Sequence, residues 1–243
     1  MLQTALRAVY PPRCLGCGTL VESDFGLCSA CWSETPFIEG AVCNFCGVAV
    51  AGGAGPGERA DEITCEACHA TPRPWSAGRA ALAYQDKARV LVLQMKHGDR
   101  DDIARSAALW MARAARGILS HNMLIAPIPL HWTRLLKRRF NQSALLADGI
   151  AAATGLSHCP DLLIRPRRTP PLKGMDQEER FARLHKGIGL HPRRRHRIAG
   201  RDVLLVDDVF TSGATFTAAT EACLDGGAAR VCVLSLARAA PDA

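Results

Sequence analysis

The stretch that decides the fold is Val203-Leu-Leu-Val-Asp-Asp-Val-Phe-Thr-Ser-Gly-Ala-Thr215. Its first four residues, Val203 to Val206, are an apolar run of the kind that fills a strand buried on both faces of a parallel sheet. Asp207 and Asp208 follow at the expected end of that strand. A small loop rich in hydroxyls and glycine, Thr211 to Thr215, then leads into a helical pattern over Phe216 to Leu224. Ligands of open α/β sheets bind beyond the carboxyl ends of the strands. Backbone amides of a short loop at a helix N-terminus favour a phosphate. Two carboxylates beside such a cradle suit a sugar phosphate. The acids would accept from ribose hydroxyls, while Thr211, Ser212, Gly213, Ala214 and Thr215 hold the phosphate. The stretch is neither a P-loop, since it lacks a Gly-Lys-Ser/Thr ending, nor a Gly-x-Gly-x-x-Gly dinucleotide turn.

Working outward, the patterns on both sides alternate between strand and helix. Val231–Leu236 reads as the next strand. Upstream, Ala77–Tyr84 reads as a strand and Asp86–Lys96 as a helix. A second helix, N-capped by Asp101 or Asp102, extends to about Gly117; it is amphipathic and broken by Arg105, Arg113 and Arg116. Met123–Ala126 is a short strand ending in Pro127-Ile-Pro129, and Asn141–Thr154 is a helix, with Asn141 and Gln142 equally suited to capping it or to binding. Such alternation predicts an α/β domain with a mostly parallel sheet flanked by helices. Thr71-Pro-Arg-Pro74 reads as a linker. It divides the chain into a small N-terminal module, residues 1–73, and a larger domain, residues 74–243.

The module is defined by cysteine. Of eleven cysteines in the 243 residues, eight form four Cys-x-x-Cys pairs: Cys14/Cys17, Cys28/Cys31, Cys43/Cys46 and Cys65/Cys68. Two cysteines three positions apart turn both sulfurs inward on one knuckle. Two knuckles complete a tetrahedral shell of four sulfurs suited to Zn²⁺. Gly18 and Gly47 directly follow a second ligand, where a positive φ is useful. Four pairs predict two structural zinc ions in closed shells that leave no open position for catalysis. The spacing fits sequential pairing, near that of zinc ribbons; interleaved pairing, first with third and second with fourth, stays open. Fourfold repetition argues against a thioredoxin-type redox site, and iron–sulfur spacings differ. His69, next to Cys68, reads as a bystander. Cys159, Cys223 and Cys232 read as buried apolar residues. Ala51–Gly57 reads as a flexible loop inside the second ribbon.

The formal charge of +7 divides unevenly, with −4 on residues 1–73 and +11 on residues 74–243. A basic partner surface therefore belongs to the larger domain. Residues 165–201 carry twelve Lys/Arg against three acids, and include His191-Pro-Arg-Arg-Arg-His196, a surface loop by composition. Candidates for pairing with pyrophosphate or nucleic-acid phosphate are Arg134, Lys137, Arg138 and Arg139, and, in the basic stretch, Arg167, Arg168 and Lys173. Aromatic residues make up only 5% of the chain, so base stacking is poorly supported and any DNA contact should run through phosphates. No run approaches the roughly 18 apolar residues of a membrane span, and Met1–Tyr10 has no secretion-signal pattern. The expected location is the cytoplasm.

Strand, acid pair, loop and helix in this order resemble the signature of type I phosphoribosyltransferases, which bind phosphoribosyl pyrophosphate (PRPP). Over nearly the whole chain the features resemble the ComF family of competence-related proteins, the ComFC/GntX-like group. These are the cysteine-rich double ribbon, Tyr84, the Lys96-His-Gly turn, Ala126-Pro-Ile-Pro-Leu130, Arg138-Arg-Phe-Asn-Gln142, the Arg165 to Pro171 stretch, Glu179-Arg180 and the 203–215 motif. Arg139 stands where the family often has glycine, and Leu172 where many members have glutamine.

The resemblance implies that Asp207 and Asp208 contact ribose, with Mg²⁺ bridging sugar and pyrophosphate oxygens. It implies displacement of pyrophosphate at C1 through an oxocarbenium-like state. Thr211 stands where purine-specific transferases often carry an aspartate; a hydroxyl is no base near pH 7, and no catalytic residue is assigned. It further implies a PRPP-binding protein of DNA uptake and natural transformation, with single-stranded DNA and a DNA-uptake helicase or translocase as partners. Two alternatives stay open: an active phosphoribosyltransferase with an unidentified acceptor, in nucleobase salvage or nucleic-acid modification, and a zinc-dependent adaptor with a vestigial pocket.

Overall fold

The computed structural model describes residues 11–51, 63–97, 100–130, 140–165 and 187–240. The apolar run at Val203–Val206 lies at the heart of a five-stranded sheet, and all four residues are fully buried. The strands are β1 (Ala77–Ala83), β2 (Leu124–Pro127), β3 (Ser157–His158), β6 (Asp202–Phe210) and β7 (Arg230–Arg238). Their spatial order is β1-β7-β6-β2-β3, and every pairing is parallel. A separate antiparallel ribbon joins β4 (Leu163–Ile164) to β5 (Gly189–Leu190). The described helices are α1 (Ser29–Ser33), α2 (Glu66–Ala70), α3 (Asp86–His97), α4 (Asp101–Ala114), α5 (Gln142–Thr154) and α6 (Ala214–Asp225). Among the described residues no helix is long and apolar enough to cross a membrane.

Successive residues of a strand face opposite sides of the sheet, and β6 shows both cores at once. Leu204 and Val206 join Val92 and Met95 of α3, Ala107 and Met111 of α4, and Leu146 and Ile150 of α5. Val203 and Leu205 face the other way, toward Phe216, Ala219 and Cys223 of α6. That second core also contains Cys43, Cys46, Cys68 and Trp75. Part of the sheet's second face is thus covered by the cysteine-rich segment.

The segment is also joined to the sheet through the backbone. Residues near Phe37 extend the free edge of β1 in antiparallel fashion, with Ile38 N donating to Ala81 O at 3.0 Å and Ala83 N to Pro36 O at 2.9 Å. Covering an edge strand removes unpaired backbone groups from solvent. Gly78 N donates to Asn44 O at 2.7 Å, and Trp75 Nε1 donates to Phe45 O at 2.6 Å. A Cβ on Gly78 would lie 2.1 Å from Phe45 O, so only glycine permits this approach.

Several boundaries differ from expectation. β6 does not stop at Val206 but continues to Phe210, so both acids lie within the strand. The cause is β7, whose length keeps the register through Asp207↔Ser235, Val209↔Ala237 and Phe210↔Arg238. Helix α4 is entered through Arg100, not capped by an aspartate. Asp101 and Asp102 occupy its first turn, and Arg100 holds Asp102 with two hydrogen bonds of 2.8 Å. Asn141 caps α5, its side chain accepting from Ser143 N at 3.1 Å, while Gln142 is buried inside the helix. Cys159, Cys223 and Cys232 are buried, and burial pushes the Cys223 thiol up to about 12.

His191–His196 lies at the surface, as its composition suggests, but is wound into regular structure rather than a loop. Pro192–Arg197 forms a 3-10 helix. Arg194 grips Asp161 through Nε (2.9 Å) and NH2 (2.7 Å), and Arg195 NH2 donates to Asp225 O at the end of α6 (3.0 Å). Two of these three arginines hold the fold together, which leaves less of the run for an outside partner. Arg134, Lys137, Arg138, Arg139, Arg167, Arg168 and Lys173 lie outside the described residues.

Candidate functional site

The acid pair lies within β6 just past its last pairing with β2, beside the N-terminal end of α5 and upstream of α6. Asp207 Oδ1 accepts from Ser143 Oγ at 2.8 Å and from Asp208 N at 2.9 Å. Asp208 Oδ1 pairs with Lys96 Nζ of α3 at 3.0 Å, both side chains being mostly buried. The Asp207 carboxyl is pushed up to about 7, first by burial and second by the charge of Asp208; Ser143, the Asp208 amide and Lys96 pull the other way. A carboxyl so placed gains from a nearby cation or from hydroxyl donors.

The loop after β6 is short. Gly213 caps α6 with φ 88° and ψ −4°. A Cβ there would lie 2.9 Å from the Phe210 ring and 3.1 Å from Arg73 NH1, so conformation and space both call for glycine. The helix begins at Ala214, two residues earlier than the apolar pattern indicates. Among the described residues no backbone acceptor takes the amides of Ser212, Gly213 or Thr215. Amides in this position at the positive end of a helix form an anion site.

Beneath the loop lie two arginines whose role the local sequence does not announce. Arg73 NH1 donates to Ser212 O at 3.0 Å. Arg238 is 2% exposed; its NH1 donates to Thr211 O at 2.7 Å and Phe210 O at 3.1 Å, and also to Ala239 O. Arg73 belongs to a stretch that reads only as a linker, and Arg238 to the far end of a strand. An arginine closing an otherwise apolar strand is the one available signal.

Trp75, Phe210 and Phe216 pack in mutual edge contacts, with centroids 5.3 to 6.1 Å apart. The loop therefore rests on rigid aromatic packing.

The eight cysteines gather as two groups, Cys14–Cys17–Cys28–Cys31 and Cys43–Cys46–Cys65–Cys68, with ligand atoms in each group within 4.8 Å of one another. This is the sequential pairing; the interleaved one is excluded. Gly18 and Gly47 take the expected positive φ, 78° and 70°. His69 belongs to neither group.

Within each group the thiols cannot share charge evenly. Burial opposes ionisation of Cys14, but amides of Cys28, Cys17 and Gly16 outweigh it and hold the thiol down to about 6. Cys31 is pushed up to about 12 by burial and then by neighbouring thiols. In the second group Cys43 is lowered by hydrogen bonds with Cys46 and Cys68, and Cys46 is raised by Cys43 and Cys68. Four sulfurs this close need a cation before all can be thiolates, and a shell of four sulfur donors selects Zn²⁺. These are two four-cysteine zinc-binding sites.

Comparisons with known proteins agree. Residues 5–69 match the family model described as a double zinc ribbon domain. The DNA utilization protein YhgH of Salmonella typhimurium is 28% identical over 225 residues, covering 90% of this chain and 93% of that protein. Competence protein F of Haemophilus influenzae is 25% identical over 233 residues, 93% of this chain and 97% of that one. Competence protein ComFC of Bacillus subtilis is 24% identical over 221 residues, 86% of this chain and 82% of that one.

Among solved structures, a glutamine PRPP amidotransferase from B. subtilis is 20% identical with TM-score 0.39, over 58% of this chain and 30% of that one. An adenine phosphoribosyltransferase from Thermoanaerobacter pseudethanolicus is 15% identical with TM-score 0.36, over 61% of this chain and 84% of that one. With a double zinc ribbon at its N-terminal end and similarity to DNA utilization and competence proteins along most of its length, the chain resembles the ComF family.

Proposed function

We propose that the chain binds PRPP at the end of β6 and acts in the handling of incoming DNA in the cytoplasm. The observation that carries this reading is the placement of Asp207 and Asp208 beside the Gly213-capped N-terminus of α6. The two halves of the site ask for different groups. The carboxylates, with Ser143 and Lys96 as neighbours, suit the hydroxyls of a ribose. The amides of Ser212, Gly213 and Thr215 suit a terminal phosphate.

The donor set also fits Mg²⁺, whose hard oxygen ligands include carboxylates and substrate phosphates. Asp207 and Asp208 would hold it, and when bound it would offset charge on a departing pyrophosphate. Ser143 keeps Asp207 oriented for this task. Lys96 would be released from Asp208, or shared with the phosphate oxygens, once a cation and ligand are in place. The DNA role rests on the relatives, which are named for DNA utilization and competence. DNA phosphates would be met by the basic residues named from the sequence, with a helicase or translocase as protein partner.

Calorimetric titration with PRPP, with and without Mg²⁺, tests the pocket. Binding should require Mg²⁺ and be lost in the Asp207→Asn/Asp208→Asn double variant. Equal binding by that variant removes the assignment. Repeating the titration with single-stranded DNA at two salt concentrations tests the second half: affinity for DNA should fall steeply with salt. In cells, full rescue of transformation by the double variant would separate the pocket from the DNA role.

A further inference from the structure

We propose that Arg73 and Arg238 are positioning residues that couple the second four-cysteine site to the loop at Phe210–Gly213. The inference rests on the reading of that loop as the phosphate cradle. It starts from three consecutive carbonyls. Phe210 O and Thr211 O accept from Arg238, and Ser212 O accepts from Arg73. In a planar trans peptide the C=O of one residue and the N–H of the next point in opposite directions. Fixing these carbonyls toward the arginines therefore turns the amides of Thr211, Ser212 and Gly213 away from them, toward the crevice where an anion would lie.

Both arginines also lie against the aromatic rings that pack with the cysteines: Arg73 is 5.8 Å from the Trp75 ring centroid and Arg238 4.4 Å from that of Phe210. Arg73 lies beside Cys68 and Arg238 beside Cys46. The Nε atoms of both arginines are buried and, among the described residues, have no hydrogen-bond partner. Four thiolates around one divalent ion leave a charge of about −2, and two guanidinium groups offset it. Cys43, Cys46 and Cys68 share a core with Trp75, Phe210 and Phe216, so no solvent layer separates site from loop. Among the described residues, Lys87, Arg100 and Arg13 near the first four-cysteine site bond instead to Glu34, Asp102, Leu15 O and Gly18 O. They reach no part of the loop. Metal loading at the second site should thus order the loop, and a ligand on the loop should retain that metal, since coupling between sites is reciprocal.

The test uses the full zinc-loaded chain with Arg73→Gln and, as a second variant, Arg73→Lys. Two quantities are read: zinc release to a chromogenic chelator, and hydrogen exchange of the amides at 211–215. In Arg73→Gln one of the two zinc ions should leave about tenfold faster and the loop amides should exchange faster by a similar factor, a size usual for coupled sites. Arg73→Lys should fall between. Arg13→Gln, beside the first site, should leave loop exchange unchanged.

Loop loosening without faster zinc loss would reduce Arg73 to a loop brace and overturn the coupling. Unchanged values for both would do the same. Should Arg73→Gln fail to fold, Cys65→Ser against Cys17→Ser decides: only the former should loosen the loop, and equal exchange in both overturns the proposal. Mg²⁺–PRPP added to wild type should slow the loss of one zinc ion. Binding without that slowing contradicts the coupling. Absence of PRPP binding sinks the ligand assignment, while the zinc and exchange measurements still decide the coupling.

Discussion

The two four-cysteine sites are built from the same motif and support different parts of the molecule. The first packs against helices: Leu15 joins Leu91 of α3 and Ile103 of α4, Ser106 donates to Phe25 O, and Lys87 pairs with Glu34 at 2.9 Å. Its Cys17 is exposed. The second lies inside the core under the sheet, with Cys43 and Cys46 at 0% exposure, next to the loop that follows β6. Identical ligand chemistry thus leaves one site at the periphery and the other in the core beside the loop that follows β6. Position in the core, rather than the metal itself, sets how much of the fold depends on each.

The strongest way to break this comparison is to damage each site in turn. Cys46→Ser should cost on the order of 4 kcal/mol or more, the range reached when a metal is lost from a core. Cys17→Ser should cost about 1–3 kcal/mol, as for an ordinary substitution. Denaturant melts of the two variants would measure this, and equal losses would mean that both sites carry the same load. Trp75→Ala comes next. Trp75 is 2% exposed and touches Phe210, Phe216 and Phe45 O. Its truncation should cost about 3–5 kcal/mol and speed zinc loss from the second site. A stability loss with zinc release unchanged would separate the aromatic packing from the metal.

Gly213→Ala is milder for the fold. Left-handed geometry costs a residue with a Cβ roughly 1–2 kcal/mol, and the added methyl meets Phe210 and Arg73. Stability should drop by about that amount while Mg²⁺–PRPP affinity falls far more. Unaltered affinity would show that the loop does not hold the ligand.

The sequence made the sheet legible because a run such as Val203–Val206 has few alternatives to a doubly buried strand, and Cys-x-x-Cys knuckles declare their own geometry. The 203–215 motif placed acids and loop in the right order for the same local reason. What escaped is long-range. Whether ribbons pair sequentially depends on chain path between knuckles. The length of β6 depends on β7, since the pairing of Phe210 with Arg238 spans 28 residues. Arg73 was invisible as a loop anchor because its partner, Ser212, is 139 residues away. The run Arg193–Arg195 was rightly legible as surface, but the bond from Arg194 to Asp161, 33 residues away, was not, for a related reason.

A last prediction separates the acid pair from the cysteines by pH. Asp207 has its carboxyl pushed from 3.8 up to about 7 in the fold. Below about pH 4 folded and unfolded chains both carry this proton, and the group has no net effect. Between about pH 4 and 7 the unfolded chain gives the proton up while the folded chain keeps it, so stability contributed by Asp207 declines as pH rises through that window. Asp207→Asn cannot titrate and keeps an oxygen to accept from Ser143. The melting temperature of the variant minus that of wild type should therefore climb from pH 4 to pH 7 and level off above. Acid also strips zinc from thiolates, but it does so in both proteins, so the difference isolates Asp207. A difference flat across this range would place the Asp207 carboxylate in a better-solvated position than its burial implies. A difference that changes only with zinc content would assign the pH sensitivity to the cysteine sites instead of the acid pair.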